Sequence, residues 1–522
     1  MKKNRSNRFF LFLLVSILLL MQQTAYAYFF FTIHYSDGTK SEPFYKTDVD
    51  SICYSKIDLF GEEKNDYIIQ EIWMGDSVCR IPLSLIDSIS YTKVDDAVTA
   101  RSVQGVLKQM DRLSSAGETI GSDASLETLA SLDGVEDVYA SGSNVFVKIK
   151  NWGSVTYYKA PHYDITTDTE PQATRSNAAR LLSSSLSDQE HYNYRNACIL
   201  NQHSRDNYFS SSKRIAADLK SSFEDVGIGC DIINNPSTDF FSDDNLGIGG
   251  KMREDKIYDY DIVFISTHGC YDERHHLHWI LTSDELFNSV VGNTSSDDYT
   301  EILVRLIKSL SPRKIGIGYV KELRDRPRNV CYVSISQEYI RSSSRSFKCD
   351  GNAIVFNTAC QSMKGDTGLG DAFISKGAGC YLGYNDTNSI GDGAGNEYFN
   401  MLLNGKSVVD AYQNLPNRFL TENLYENRKG EFFGSTTAGM DVVNEYHPIL
   451  RMLSSGKNLC VVAPVLLPVT ELYDGDYSVK ISAQLRMQNP YGARAQGNSY
   501  YFLVSKNSDM SNAEKHEVYK YD

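Results

Sequence analysis

The chain has 522 residues, 66 acidic and 52 basic side chains, a formal net charge of −14 and ten cysteines. Its length exceeds what a single core fills, so three or four folding units are expected. Acidity argues against a phosphate-backbone partner, and ten cysteines in so long a chain argue against a disulfide-built scaffold.

Lys2, Lys3, Arg5 and Arg8 precede an apolar run from Phe9 to Met21, which ends near Ala25-Tyr26-Ala27. A basic head, a short apolar segment and a small-residue end describe a secretory signal peptide over residues 1–27 better than a membrane anchor. Tyr28 is then the mature start, and the protein is expected to be secreted, reaching the periplasm, the cell surface or the medium. Losing those four basic residues and no acidic ones takes the net charge from −14 to −18. No later segment has the roughly 18 consecutive apolar residues of a span, so no membrane insertion is expected once the signal is gone. An exported chain can pair cysteines, and Cys53 with Cys79 is the first pair expected.

Residues 28–95 carry a weak internal repeat, Asp48 to Tyr54 recurring as Leu85 to Tyr91, between strand-like alternations and the turn signals Asp37-Gly38 and Gly75-Asp76. A small β module is predicted. Residues 96–190 offer a helix around Val103 to Leu113 and strands over Asn144 to Lys150 and Gly153 to Lys159. From Thr166 to Leu186 a Ser/Thr/Asp/Ala-rich tail reads as a solvated linker. This region is expected to be a pro-segment or a plain spacer.

From 191 to 456 strands alternate with helices. Strands are predicted at Ala197–Leu200, Cys230–Ile233, Tyr260–Ser266, Asn352–Asn357 and Cys380–Tyr384. Helices are predicted over Ser210–Val226, from near Asp366, and through Tyr398, Leu402 and Leu403. That alternation implies a mainly parallel sheet covered by helices on both faces. After 457 the alternation returns to period two at Val461–Val469, Tyr477–Leu485 and Tyr500–Val504, predicting a small sandwich-like β module.

Two core strands carry the chemistry. One ends Ser266-Thr267-His268-Gly269 and the other Asn357-Thr358-Ala359-Cys360-Gln361-Ser362. Open α/β sheets bind ligands beyond the carboxyl ends of their strands, where neighbouring strands would bring a thiol and an imidazole together. A free thiol, with a pKa near ~8.5, is mostly protonated at neutral pH and needs a base; His268 can accept its proton and return it to a leaving amine. Attack on a carbonyl also needs oxyanion donors, and the N–H groups of Gly269 and Cys360 are candidates. The bland alternative is a buried strand-end cysteine beside a satisfied histidine.

These two motifs, followed by Lys376-Gly377-Ala378-Gly379-Cys380-Tyr381-Leu382-Gly383-Tyr384, resemble the caspase-like clan of cysteine peptidases, most closely its secreted gingipain- and clostripain-like members. The resemblance spans roughly residues 195–420. It implies a caspase-like α/β sheet, cysteine endopeptidase activity on a protein or peptide substrate, no cofactor, Cys360 as nucleophile, His268 as base and Gly269 as oxyanion donor. Where caspases have glycine two positions after the cysteine, this chain has Ser362. Where clostripain-like members have an aspartate two residues before it, this chain has Thr358. In the clan the loop after the first strand also shapes the specificity pocket. Here that loop contains Arg205, suited to an acidic substrate side chain, and Asp206, suited to a basic one, with basic favoured.

The 91 residues between His268 and Cys360 include Arg313, Lys314, Arg324, Arg326, Arg328, Arg341, Arg345 and Lys348. They are expected to be looped, either as a self-cleaved activation segment or as a solvated basic surface. His268, Cys270, His275, His276 and His278 also raise a zinc site, although their spacing fits no familiar closed one. Two rivals to the peptidase therefore stand: a catalytically inactive caspase-like scaffold that binds a surface or partner, and a metal-dependent hydrolase. Oligomeric state is not legible in the sequence.

Overall fold

The structure is a computed structural model. It describes residues 29–159 (except 42, 46–47, 50, 59–65, 75–76 and 94), 181–182, 189–242 (except 203–209), 254–288, 303–304, 306–307, 311–461 (except 323–327, 350, 366–367, 429–431 and 435–439), 500–504 and 514–518. The signal-like residues 1–27, the linker-like stretch 166–180 and the expected strands at 462–469 and 477–485 lie outside the described residues. The chain divides into two units, Met1–Pro464 and Val465–Asp522. In the second, Tyr500–Val504 and Glu514–Val518 pair as an antiparallel hairpin.

In the first unit, the strands Ile262–Ser266 and Ala353–Asn357 are buried at every position. Strands so uniformly apolar are stable only with both faces covered, and here they lie side by side at the centre of a seven-stranded sheet. Its order is Gly229–Ile233, Asn196–Asn201, Ile262–Ser266, Ala353–Asn357, Ala378–Tyr384, Leu450–Ser454 and Leu181–Leu182. The first five run parallel, Leu450–Ser454 runs antiparallel to Ala378–Tyr384, and Leu181–Leu182 is parallel to Leu450–Ser454. The α/β core predicted from the pattern is therefore a mainly parallel sheet, as expected.

Alternation divides the two faces. Ile262, Phe264, Ile354 and Phe356 share a core with the helices Ser210–Asp225 and Gly391–Leu403. Ala216, Leu219 and Phe223 provide the apolar stripe of the first helix, and the Phe223 ring meets Phe399 at 5.5 Å. Fully burying a side chain such as Phe356 contributes about 1.5–3 kcal/mol. Val263, Ile265 and Val355 face the other way, into a core shared with the helix Asp96–Ser115, the helix Gly368–Ser375 and a second sheet.

That second sheet also has seven strands, in the order Gly269–Asp272, Leu277–Asn288, Arg328–Ser336, Ile315–Glu322, Ser154–Tyr158, Asn144–Ile149 and Val135–Ser141. All neighbours are antiparallel except Ile315–Glu322 with Ser154–Tyr158. Its two end strands meet: Ser141 Oγ donates to the Tyr271 carbonyl at 2.9 Å, and Tyr139 OH donates to Asp272 at 3.0 Å. The sheet thus curls nearly into a barrel, and side chains close the seam where backbone pairing stops.

One expectation changes here. Among the described residues of the basic stretch between His268 and Cys360 strand outweighs loop, because apolar residues such as Ile317, Tyr319, Val333 and Ile335 are wholly buried. Its charges pair locally, Lys314 with Asp48 at 3.2 Å, Arg341 with Glu338 at 2.8 Å and Lys348 with Asp259 at 2.7 Å. Arg324 and Arg326 lie outside the described residues. Residues 96–190, expected to be a pro-segment or spacer, supply three strands and two helices to the same core as residues 269–336.

The stretch 28–95 forms two three-stranded antiparallel sheets around Phe31, Ile33, Ile72 and Ile81. The expected Cys53–Cys79 disulfide is absent, and both thiols are free. Cys53 lies opposite Glu71 and Cys79 opposite Ile72, so the strand Asp66–Met74 runs between them. Two strand spacings, roughly 10 Å, exceed the Cα separation a disulfide tolerates. Among the described residues no helix is long and apolar enough to cross a membrane.

Candidate active site

The register of the central pair sets the site. Ile265 lies opposite Asn357, and Thr358 N donates to the Ile265 carbonyl at 2.8 Å. His268 and Cys360 each follow three residues later, beyond the carboxyl ends of adjacent parallel strands. Asn357 turns its chain there: its Oδ1 accepts from Ala359 N at 2.9 Å while its Nδ2 donates to Tyr381 OH at 3.0 Å. His268 is buried, and its carbonyl accepts from Leu281 N at 3.0 Å.

Gly269, directly after the histidine, touches the cysteine turn. A Cβ at this position would stand 2.7 Å from Ala359 Cβ and 2.8 Å from the Cys360 carbonyl oxygen. Only glycine permits that approach. The structure thus brings together Gly269 and Cys360, two of the three residues that sequence assigns to catalysis, with His268 adjoining.

Cys360 is half-buried and its thiol is clasped by one residue. Sγ donates to the Asn388 carbonyl at 3.5 Å and accepts from Asn388 N at 3.5 Å, with Asn388 Nδ2 at 3.9 Å. Asn388 is itself fixed, its Nδ2 donating to the Thr358 carbonyl at 3.1 Å and its Oδ1 accepting from Gly391 N at 3.1 Å. Burial pushes the Cys360 thiol up to about 12; Asn388 N–H works against that, and the carboxylates of Asp386 and Glu422 add to it. At neutral pH Cys360 is therefore protonated, and nucleophilic attack by its sulfur would require a proton acceptor.

The next residue, Gln361, is fully buried in the left-handed region at φ 58°. Such a conformation costs a non-glycine residue on the order of 1–3 kcal/mol and persists only where its surroundings impose it. Here Gln361 N donates to the Asp386 carbonyl at 3.1 Å, and Gln361 Oε1 accepts from Tyr271 N at 2.9 Å.

Of the residues expected to bind substrate, Arg205 and Asp206 lie outside the described residues, while Thr358 borders the site. The Thr358 hydroxyl donates to Asp392 Oδ1 at 3.2 Å, and Asp392 Oδ2 accepts from the Ser212 hydroxyl. Asn201 Nδ2 reaches the Ser212 carbonyl at 3.3 Å. The buried oxygens Asn201 Oδ1 and Gln202 Oε1, at the end of the neighbouring strand, have no hydrogen-bond partner among the described residues. This side of the site is rich in acceptors.

The histidine cluster serves separate partners. His275 Nδ1 lies 2.8 Å from Asp272 Oδ2, His276 Nδ1 lies 2.9 Å from Tyr271 OH, and His278 Nε2 lies 2.9 Å from the Lys364 carbonyl. Cys270 is wholly buried, and burial raises its thiol well above the usual range.

Sequence reasoning missed Asn388, Gln361 and Asp392. The strand-end rule, applied to Ala378–Tyr384 as well, would have drawn residues 385–388 into the site. Nothing local marks Asp392, which the first turn of the helix Gly391–Leu403 brings to Thr358. No protein-family model matches this chain, and no curated protein matches it.

Proposed function

We propose that this chain is an exported cysteine endopeptidase with a caspase-like core, hydrolysing peptide bonds through Cys360 and His268. The observation that carries this is the packing of Gly269 against the Cys360 turn beyond the ends of adjacent parallel strands. His268 takes the proton of Cys360 as the sulfur attacks the substrate carbonyl, and the N–H of Gly269 faces the oxyanion. His268 then protonates the leaving amine, and water releases the acyl group from sulfur. Neither metal nor cofactor is required.

Substrates with a basic side chain before the cut suit this site. Thr358 stands where clostripain-like members carry aspartate, but its hydroxyl is hydrogen-bonded to Asp392, whose carboxylate replaces that charge from another element.

A second function is favoured by one observation. With its thiol pushed up to about 12 and carboxylates nearby, Cys360 suits an inactive scaffold that binds a surface or partner. One comparison separates the two: the parent chain and Cys360→Ala, incubated under reducing conditions with a mixed peptide library, the products identified by mass spectrometry. Cuts in the parent that vanish in the variant establish the peptidase. Intact peptides in both samples favour the scaffold.

A further inference from the structure

The segment ahead of residue 190 reads in sequence as a pro-segment or a plain spacer, yet its hairpin reaches the cysteine turn. Gly142, between the strands Val135–Ser141 and Asn144–Ile149, lies against Gln361. A Cβ on Gly142 would stand 2.2 Å from Gln361 Nε2, and Gly142 has φ 58°, so a side chain here would be strained and would displace Gln361. Next to it, Ser143 Oγ lies 3.2 Å from Thr387 Oγ1, beside the Asn388 that clasps the thiol. Ser141 Oγ holds the Tyr271 carbonyl at 2.9 Å, while Tyr271 N donates to Gln361 Oε1 at 2.9 Å. One hairpin end therefore touches the cysteine turn, the loop over the thiol and the strand that follows His268.

We infer that residues 139–143 are a positioning element of the site, which presses Gln361 and Thr387 into place and so fixes Cys360 against the end of the histidine strand. The segment 96–159 is a permanent part of the working protein. A chain cut between 160 and 180 stays assembled as two non-covalently joined pieces, because its strands belong to the second sheet and its helix to the shared core. The inference rests on the peptidase reading only where hydrolysis is measured.

To test it, a recognition sequence for a specific protease is inserted between residues 166 and 180 of the full chain, which is then cut and passed over a native sizing column. Expected are co-elution of the two pieces and an unchanged rate of Cys360 alkylation by iodoacetamide. Separation of the pieces, with Cys360 reactivity intact in the larger one, overturns the inference. Gln361→Met keeps the bulk and removes the acceptor for Tyr271 N–H. It should lower kcat on the order of 10–100-fold with KM little changed, as a displaced nucleophile does, and should shift the pH profile of Cys360 alkylation. A Gln361→Met chain matching the parent in both readouts also overturns it. If the intact parent hydrolyses nothing, the peptidase assignment fails, while co-elution and alkylation still decide this inference.

Discussion

The α-carbon of Gly269 lies so near the carbonyl oxygen of Cys360 that a methyl group there would come within 2.8 Å of it. The contact involves backbone on both sides, so no side-chain rearrangement relieves it. Gly269→Ala should destabilise the fold by about 1–3 kcal/mol, the usual cost of overpacking a tight site. Peptide hydrolysis should fall by a larger factor than the fraction unfolded. Thermal unfolding and initial rates on one preparation check both, and a fully active Gly269→Ala protein would remove the support for an oxyanion donor at this position.

The raised thiol makes a titration prediction. The native state holds the Cys360 proton up to about pH 12, whereas the unfolded chain loses it near the ordinary thiol value, so the two states differ only above that value. Below it Cys360 adds nothing to the pH dependence of stability; as pH rises through the window towards 12, stability is lost. In the folded protein, alkylation of Cys360 should keep accelerating past pH 9 instead of levelling off near ~8.5. Mass spectrometry of the Cys360 peptide after timed iodoacetamide pulses reads this directly.

Glu422 is buried, accepts from Ser389 N at 3.0 Å and raises the Cys360 thiol. Glu422→Gln keeps an acceptor for Ser389 and removes the charge. Cys360 should then ionise more easily, with faster alkylation at pH 7 than in the parent. An unchanged or slower rate would show that the carboxylate does not act on the thiol.

Asp392 offers its carboxylate through the Thr358 hydroxyl at 3.2 Å. If it receives basic side chains, Asp392→Asn should reduce cleavage after Arg and Lys by roughly 10–100-fold, the worth of one charge-assisted hydrogen bond, and leave other cuts nearly unchanged. A peptide library digested by both proteins gives the ratio. A uniform decline at every cut would instead point to Asp392 holding the helix start.

Much of the sheet was legible because burial on both faces leaves a local signature. Ile262–Ser266 and Ala353–Asn357 are unbroken apolar runs that stop on small or polar residues, and the stop marks the strand end where Gly269 and Cys360 sit. The second sheet was less legible. Its strands lie far apart in the chain, Ser154–Tyr158 pairing with Ile315–Glu322, and the charged residues between them suggested a loop. The Cys53–Cys79 pairing failed for a related reason: proximity in sequence does not reveal that a third strand runs between two cysteines.

By itself the sequence determined the five parallel strands of the first sheet, through their apolar runs, and the two strand ends that carry His268 and Cys360. Tertiary structure alone decided what surrounds the thiol. Asn388 reaches the Cys360 thiol, Asp392 the hydroxyl of Thr358, and the hairpin end at Gly142 the side chain of Gln361, contacts that come from two distant places in the chain. Periodicity reports which face of an element avoids water, whereas a side chain's partner across the fold depends on crossovers and register. Those arise from the packing of the whole core, and no local stretch encodes them.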